Sequence, residues 1–440
     1  MLLAIRIFLE KTNNINRSAY FWNAFNAVVS SAQCPVILLV MTRTNGLRDA
    51  GIFSIAFAVA SLMLYVGQYG LRRFQSSDIH EKYTFAEYNG MRYITCAAMI
   101  LASLAYCIYG LYFKGYGAEK FTIVFLVCIL KVFQAYSDVM HGHMQQKGRL
   151  DVATKASSAR YIMEVVSFIV MLVLTRSLLA SCIVCIIVSF VVMMLGTVNA
   201  ATNYCDTLKP SISMGKFRML AIEGFPLFLA LFLNMYITNA PKYAIDACLT
   251  DEMQAYYNLI FMPAFVIQMI AHFIFNPIIT TYAKLWLGKT MQDIRELARL
   301  IKKQFIIILG LTAFAILVAA TIGIPVLSII FGTDLSDYKL ELCIIMFGGG
   351  MLAYATYFST VLTVIRMQNI LVIVYGAVAL AAKIMSVMVV SKYSLLGAAC
   401  MYAGLMTILA VALGIITLVG IRKEKRTLTV NCYSSSRQSK

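Results

Sequence analysis

Two ionisable residues lie deep inside predominantly apolar stretches: Lys131, between Phe121 and Met140, and Glu164, between Ser157 and Thr175. A charge at the centre of a bilayer costs roughly 2.5 to 3.5 kcal/mol even on lenient insertion scales, so such a residue serves a partner, a path or a proton. Gln134 and Asp138 follow Lys131 by three and seven residues, which places all three on one face of a helix. If the two stretches cross the membrane in opposite directions, Glu164 lies about 12 Å in, near the depth of Lys131. Two chemistries are open: a Lys131 to Glu164 ion pair that locks two helices, or a polar lining for a path. Asp138 and Glu164 are also the candidates for coupling to protons or sodium ions.

A second constellation is built of amides. Asn23, Asn26, Ser30 and Gln33 recur at offsets of three, seven and ten, a continuous polar face that ends at Pro35. Glu223 and Pro226 open a related stretch that continues through Asn234 and Thr238 to Pro241 and Lys242. Interhelical hydrogen bonds worth about 0.6 to 2 kcal/mol each would explain such faces. The prolines favour bending helices and a gated cavity instead. Lys383 lies close enough to the end of its stretch to extend its ammonium to the interface. His141 and His143 form an HxH without a third ligand nearby, and Cys182 and Cys185 form a CxxC inside an apolar run, where packing outweighs metal or redox chemistry. No Walker loop, dinucleotide glycine motif or nucleophile elbow is present, so nothing points to ATP-driven transport by this chain alone.

The elements that must position these residues follow from composition. Of 440 residues 61% are hydrophobic and 13% charged, which excludes a soluble domain, since globular chains carry nearer a quarter charged residues. The mean hydropathy is +0.79. Apolar stretches near the ~20 residues needed to cross a bilayer recur throughout. Twelve are read, the first from Ala19 to Met41 and the last from Leu395 to Ile421. The fold class is therefore an all-α polytopic membrane protein. The net charge of +17 would suggest nucleic acid in a soluble chain, but here it is spread through short gaps, and no nucleic-acid partner is expected. Of the 37 Lys and Arg, 27 fall on the set of segments that includes both termini and eight on the other, with Arg92 and Arg160 counted among the former. Basic residues accumulate in cytoplasmic loops, so both termini are expected inside. The apolar N-terminal stretch is broken by Arg6, Glu10 and Lys11 and is not a signal peptide.

The chain divides into a cytoplasmic N-terminal segment (1–18), a six-helix bundle (19–205), a cytoplasmic linker (206–218), a second six-helix bundle (219–421) and a disordered basic and Ser-rich cytoplasmic tail (422–440) that touches membrane lipids. The segment from Lys284 to Gln304 reads as a surface helix. The second and eighth stretches begin alike, Leu47-Arg48-Asp49-Ala50-Gly51-Ile52-Phe53 against Leu249-Thr250-Asp251-Glu252-Met253-Gln254-Ala255-Tyr256, as two parallel repeats would.

Gly46-Leu47-Arg48-Asp49-Ala50-Gly51-Ile52-Phe53, with Ala56-Phe57-Ala58 and the run from Gly70-Leu71-Arg72-Arg73 to Asp78, resembles the bacterial polysaccharide flippases. These form the O-antigen or capsule-repeat (Wzx-type) branch of the multidrug, oligosaccharidyl-lipid and polysaccharide (MOP) exporter superfamily. Asn239-Ala240-Pro241-Lys242-Tyr243-Ala244-Ile245-Asp246, then Gln254 to Asn258 and Phe261-Met262-Pro263, resembles the start of that family's eighth span. The resemblance implies two six-helix bundles around a central cavity in the bacterial cytoplasmic membrane. Its activity would be to move a polyprenyl-diphosphate-linked oligosaccharide, of the O-antigen, lipopolysaccharide or capsule type, from the inner to the outer leaflet. Cationic cavity residues of the family would fall to Arg48, Lys131, Lys242 and Lys383, with Asn23, Asn26, Gln33, Gln134 and Asn234 as polar lining. Arg72 and Arg73 are inner-mouth candidates, although positive-inside residues of no further role would look the same. No cofactor or metal is implied beyond coupling to a proton or sodium gradient or the membrane potential. A polysaccharide polymerase and a chain-length regulator are the implied protein partners. The competing readings are a cation-coupled drug antiporter of the same superfamily and a membrane polysaccharide polymerase. The polymerase would need a larger outer loop than the dozen or so residues around Pro241 to Met253.

Overall fold

A computed structural model describes residues 2–78, 82–205, 207–275, 278–288, 290–367 and 369–438, with side chains except at 2–4, 8, 77, 272, 273, 280, 427 and 429–438. No strand occurs among the described residues. Backbone polar groups in hydrocarbon have no water to bond, so the chain satisfies them within helices. Among the described residues eleven helices are long and apolar enough to cross a membrane, the last of them running 58 residues from Asn369 to Arg426. At 1.5 Å per residue that helix would far exceed the ~30 Å hydrocarbon core. It breaks at Ser394, where φ is 52° and ψ is −135°, into two crossings, which restores the twelve expected.

The first of two compact units comprises Met1–Met235 and Thr250–Ala255. It contains α1 (Leu2–Glu10), α2 (Ile15–Thr44), α3 (Leu47–Gln68), α4 (Leu71–Ser77), α5 (Phe85–Phe113), α6 (Ala118–Gln146), α7 (Leu150–Thr175) and α8 (Leu178–Val192), then a π-helical turn (Met193–Val198) and α9 (Asn199–Ala201). α3 is its core, buried from Ala50 to Ala56, and it packs along α6 while α2 packs along α7. Small residues make this possible: a Cβ on Gly67 would meet that of Ala135 on α6, and one on Gly51 would run into the backbone carbonyl of Asp251. Asp251 also takes the Lys120 ammonium at 2.6 Å. Asp251 of the second of the two segments of similar sequence thus touches Gly51 of the first. The N-terminal segment is docked: Lys155 Nζ donates to the carbonyls of Leu9 and Lys11, both at 3.0 Å, and caps α1.

The expected linker, 206–218, lies inside this unit and α10 (Met214–Cys248) begins within it. Polar contacts explain the difference. Ser211 N donates to the Ala86 carbonyl at 2.8 Å, Asn89 Nδ2 to that of Leu208 at 2.8 Å, and Lys216 pairs with Glu87 at 2.6 Å. Two turns further on, Glu223 accepts from Lys82 Nζ at 2.6 Å and from the Tyr83 hydroxyl at 3.1 Å. The boundary therefore falls inside α10, at Met235, rather than before it.

The second unit comprises Tyr236–Leu249 and Tyr256–Lys440. It holds the end of α10, most of α11 (Asp251–Phe275), α12 (Ile279–Gly288), α13 (Met291–Val318), a π-helical turn (Ala319–Gly323), α14 (Ile324–Phe331), a 3-10 turn (Ser336–Tyr338), α15 (Lys339–Val364) and α16 (Asn369–Gln438). The anticipated surface helix is α12 and the first turns of α13, which a Thr290/Asp293 capping box opens. Three successive glycines let α15 meet three neighbours. Gly348 abuts the Tyr402 ring, Gly349 abuts Ala264, and Gly350 abuts Thr312. α16 continues to Gln438 through the tail expected to be disordered. After Gly420 the chain contains neither Gly nor Pro, and Ile421 to Arg426 is rich in good helix formers.

Candidate functional site

Gln33 of α2, 2% exposed, joins three helices of the first unit. Its Nε2 donates to Glu164 Oε2 of α7 at 2.6 Å, and its Oε1 accepts from Lys131 Nζ of α6 at 3.1 Å. Lys131 also donates to Gln134 Oε1 at 3.1 Å and lies 4.5 Å from the centroid of the Phe57 ring. Glu164 is not the direct partner of that lysine: its Oε1 takes Arg160 at 2.7 Å and the Ser189 hydroxyl at 2.5 Å. Asn26, two turns before Gln33, accepts from the Ser157 and Ser158 hydroxyls at 2.7 and 3.2 Å. A cavity of about 10 Å³, bordered by Gln33, Phe57, Cys182 and Cys185, adjoins the network. It has room for roughly one water.

Asp138 lies two turns along α6 from Lys131 and is also already paired. Arg92 of α5 reaches its carboxylate at 3.0 Å and Arg72 of α4 at 3.6 Å. Arg92 also donates to the Gly67 carbonyl, and Arg72 to Gln145 Oε1 at 3.2 Å. Arg92 and Arg160 were counted as loop cations on the sequence, yet they are among the largest fully buried side chains. Each stands at the polar edge of its apolar stretch, where hydropathy cannot tell a loop from a helix buried in protein. The spacing of Arg160 four residues before Glu164 was the available signal.

The other candidates are dispersed. Arg48 is exposed and pairs with Glu119 at 2.9 Å. Arg73 and Asn23 are exposed. Lys383 is exposed among exposed Leu380, Ile384 and Val387. Lys242 is buried in the second unit, its Nζ 4.7 Å from the Phe261 ring centroid and 5.9 Å from that of Phe265. Thr238, Asn239 and Asp246 are buried on the same helix and Asn258 on α11, and Asn234 is half-buried. Of these the sequence singled out Asn234, Thr238 and Lys242. His141 Nε2 is 3.2 Å from the Thr197 hydroxyl, and His143 Nε2 is 2.8 Å from the Tyr204 carbonyl. Among the described residues no three His, Cys, Asp or Glu are grouped to hold a metal. Cys182 and Cys185 are buried free thiols.

No protein-family profile matches the chain. The capsular polysaccharide biosynthesis protein CapF of Staphylococcus aureus is 22% identical over 381 residues, 85% of this chain and 92% of that one. An inward-facing multidrug resistance MATE-family transporter of the MOP superfamily superposes with a TM-score of 0.65 at 14% identity, covering 90% of this chain and 96% of that one. The Vibrio cholerae MATE transporter VcmN in its bent form gives 0.59 at 13% identity, covering 96% and 98%. A MOP-superfamily transporter from Pyrococcus furiosus, described as having a binding pocket of reversed polarity, gives 0.54 at 13% identity, covering 96% and 98%. At these identities the likeness is one of fold, and it spans nearly the whole of each chain. Twelve apolar crossings and this common architecture make the chain a multi-pass integral membrane protein with the fold of the MOP-superfamily transporters.

Proposed function

We propose that this chain is a flippase that carries a polyprenyl-diphosphate-linked oligosaccharide, the repeat unit of a capsule-type polysaccharide, from the inner to the outer leaflet of a bacterial cytoplasmic membrane, with both termini inside. One observation carries the reading: the carboxylates of Asp138 and Glu164 are each engaged by arginine, while Lys131 has amide oxygens as hydrogen-bond partners. Such a balance of charge suits an anionic cargo. A diphosphate and its sugars would lose their hydration in hydrocarbon, and a lysine with nearby amides can replace it while the tail stays in lipid. The capsular association of the Staphylococcus aureus relative supports the cargo class.

A cation-coupled drug antiporter is the second reading, favoured by the MATE likeness. It needs Glu164 or Asp138 to exchange an arginine for a proton or sodium ion during the cycle. Leaflet-resolved detection of the lipid-linked oligosaccharide in proteoliposomes containing only this chain separates the two. We expect protein-dependent transfer that falls at least tenfold with Lys131→Ala. Efflux of a cationic drug driven by an ion gradient and abolished by Glu164→Gln, with no transfer of the lipid, would overturn the flippase.

A further inference from the structure

α13 carries a row of cations that leads into an apolar groove. Arg295, Arg299 and Lys303 recur every four residues and all three are exposed, while Ile294, Leu297, Ile301 and Ile308 form the buried face. Around the helix Lys303 stands within about 20° of Phe314 and Arg299 within about 60°, so the cationic face runs on to Phe314 and its neighbours Leu311 and Ala315. All three line a groove of about 320 Å³ together with Pro263 and Ile267 of α11 and Val318. Every lining side chain is apolar, and the π-helical turn Ala319–Gly323 forms part of the wall. The groove opens outward, where Phe314, Ile322 and Val326 are exposed.

A groove with no polar partner does not hold ordered water, and left empty it forfeits dispersion contacts. Its size is that of ligand sites. At 1.5 Å per residue Leu311 lies about 12 Å beyond Lys303 and Val318 about 22 Å. That is the depth spanned by one leaflet, headgroup included, in a bilayer of about 40–45 Å. Positive-inside bias accounts for cations near a helix end, but not for Lys303 and Arg299 standing on the side of α13 that carries Phe314 into the groove.

We propose that α13, α11 and the π-helical turn form a binding site for a resident anionic phospholipid, with its phosphate on Arg295, Arg299 and Lys303 and one acyl chain in the groove. Of the neighbouring acids, Glu296 engages Arg299 at 3.0 Å on the surface and Asp293 is turned back to Thr290, so the row keeps a net positive charge. The groove offers no amide or hydroxyl to a sugar, which separates this site from the buried network of the first unit and favours a resident lipid over the cargo.

The chain has two tryptophans, Trp22 and Trp286. Phe314→Trp in a Trp22→Phe, Trp286→Phe background places a single fluorophore at the groove, in nanodiscs doped with chain-brominated phosphatidylglycerol or phosphatidylcholine. We expect the anionic lipid to quench at lower mole fraction, by about fivefold for each cation engaged. The two lipids should become equivalent in the Arg295→Gln, Arg299→Gln, Lys303→Gln variant, while Arg295→Lys, Arg299→Lys keeps the preference. Unchanged quenching by the zwitterionic lipid shows that the variant is still folded around the probe. Equal quenching in the parent, or a preference that survives the triple substitution, overturns the site. Displacement of the brominated anionic lipid by polyprenyl diphosphate at far lower mole fraction overturns the resident-lipid assignment.

Discussion

Gln33 uses both ends of its amide, one toward a lysine and one toward a carboxylate, and so sets Lys131 and Glu164 into one network without their touching. The charge of Glu164 is met one turn away by Arg160, both residues being almost wholly buried. Removing one member of such a pair leaves an uncompensated charge, whereas removing both removes the desolvation penalty along with the attraction. Arg160→Met should therefore destabilise the protein by about 3–5 kcal/mol, and Arg160→Met, Glu164→Met should regain most of that loss. Thermal unfolding in detergent of the wild type and the two variants checks it. A double variant as unstable as the single one would show that the pair is not the source of the loss.

At the scale of elements, close approach rests on missing side chains. On Gly350 a β-carbon would meet the Thr312 side chain, and on Gly349 it would meet the backbone of Ala264, so α15 lies close against both α13 and α11. Within a bilayer, packing and hydrogen bonding must hold helices together, because lipid is as apolar as leucine. Gly349→Val is expected to lower the unfolding temperature and the folded yield, at a cost of 1–3 kcal/mol or more from overpacking. Gly310→Val, where nothing lies within reach of an added β-carbon, should leave both unchanged and serves as the control. Size-exclusion profiles over a temperature ramp would distinguish them.

At the scale of the molecule, the proposed cargo carries negative charge outward. With the inside negative, each elementary charge so moved gains about 2.3 kcal/mol per 100 mV. Proteoliposomes with an imposed inside-negative potential should accumulate more lipid-linked oligosaccharide in the outer leaflet than unpolarised ones, and collapse of the potential by an ionophore should remove the excess. An unaltered leaflet ratio would mean that compensating cations move with the cargo, and would place a coupling ion in the cycle.

Much of this was legible along the chain, and the limits were physical. Hydropathy is a local property, so Phe121 to Met140 and its eleven counterparts could be read as crossings, and their number held once α16 was seen to break at Ser394. The spacing of polar residues likewise placed Gln33, Gln134 and Lys131 on helical faces. Pairing between helices is not local. That Gln33 would stand between Lys131 and Glu164, 98 and 131 residues away, depended on which faces of α2, α6 and α7 meet. For the same reason Arg92 read as a loop cation until its helix was seen packed against Asp138, whereas the spacing of Arg160 four residues before Glu164 was local and available. The sequence by itself determined a membrane protein of twelve helices with polar residues inside it, because transfer from water to hydrocarbon is decided residue by residue. Only the tertiary structure decided which charges are matched and which lysine is held by amides, because a buried charge is defined by its neighbours in space.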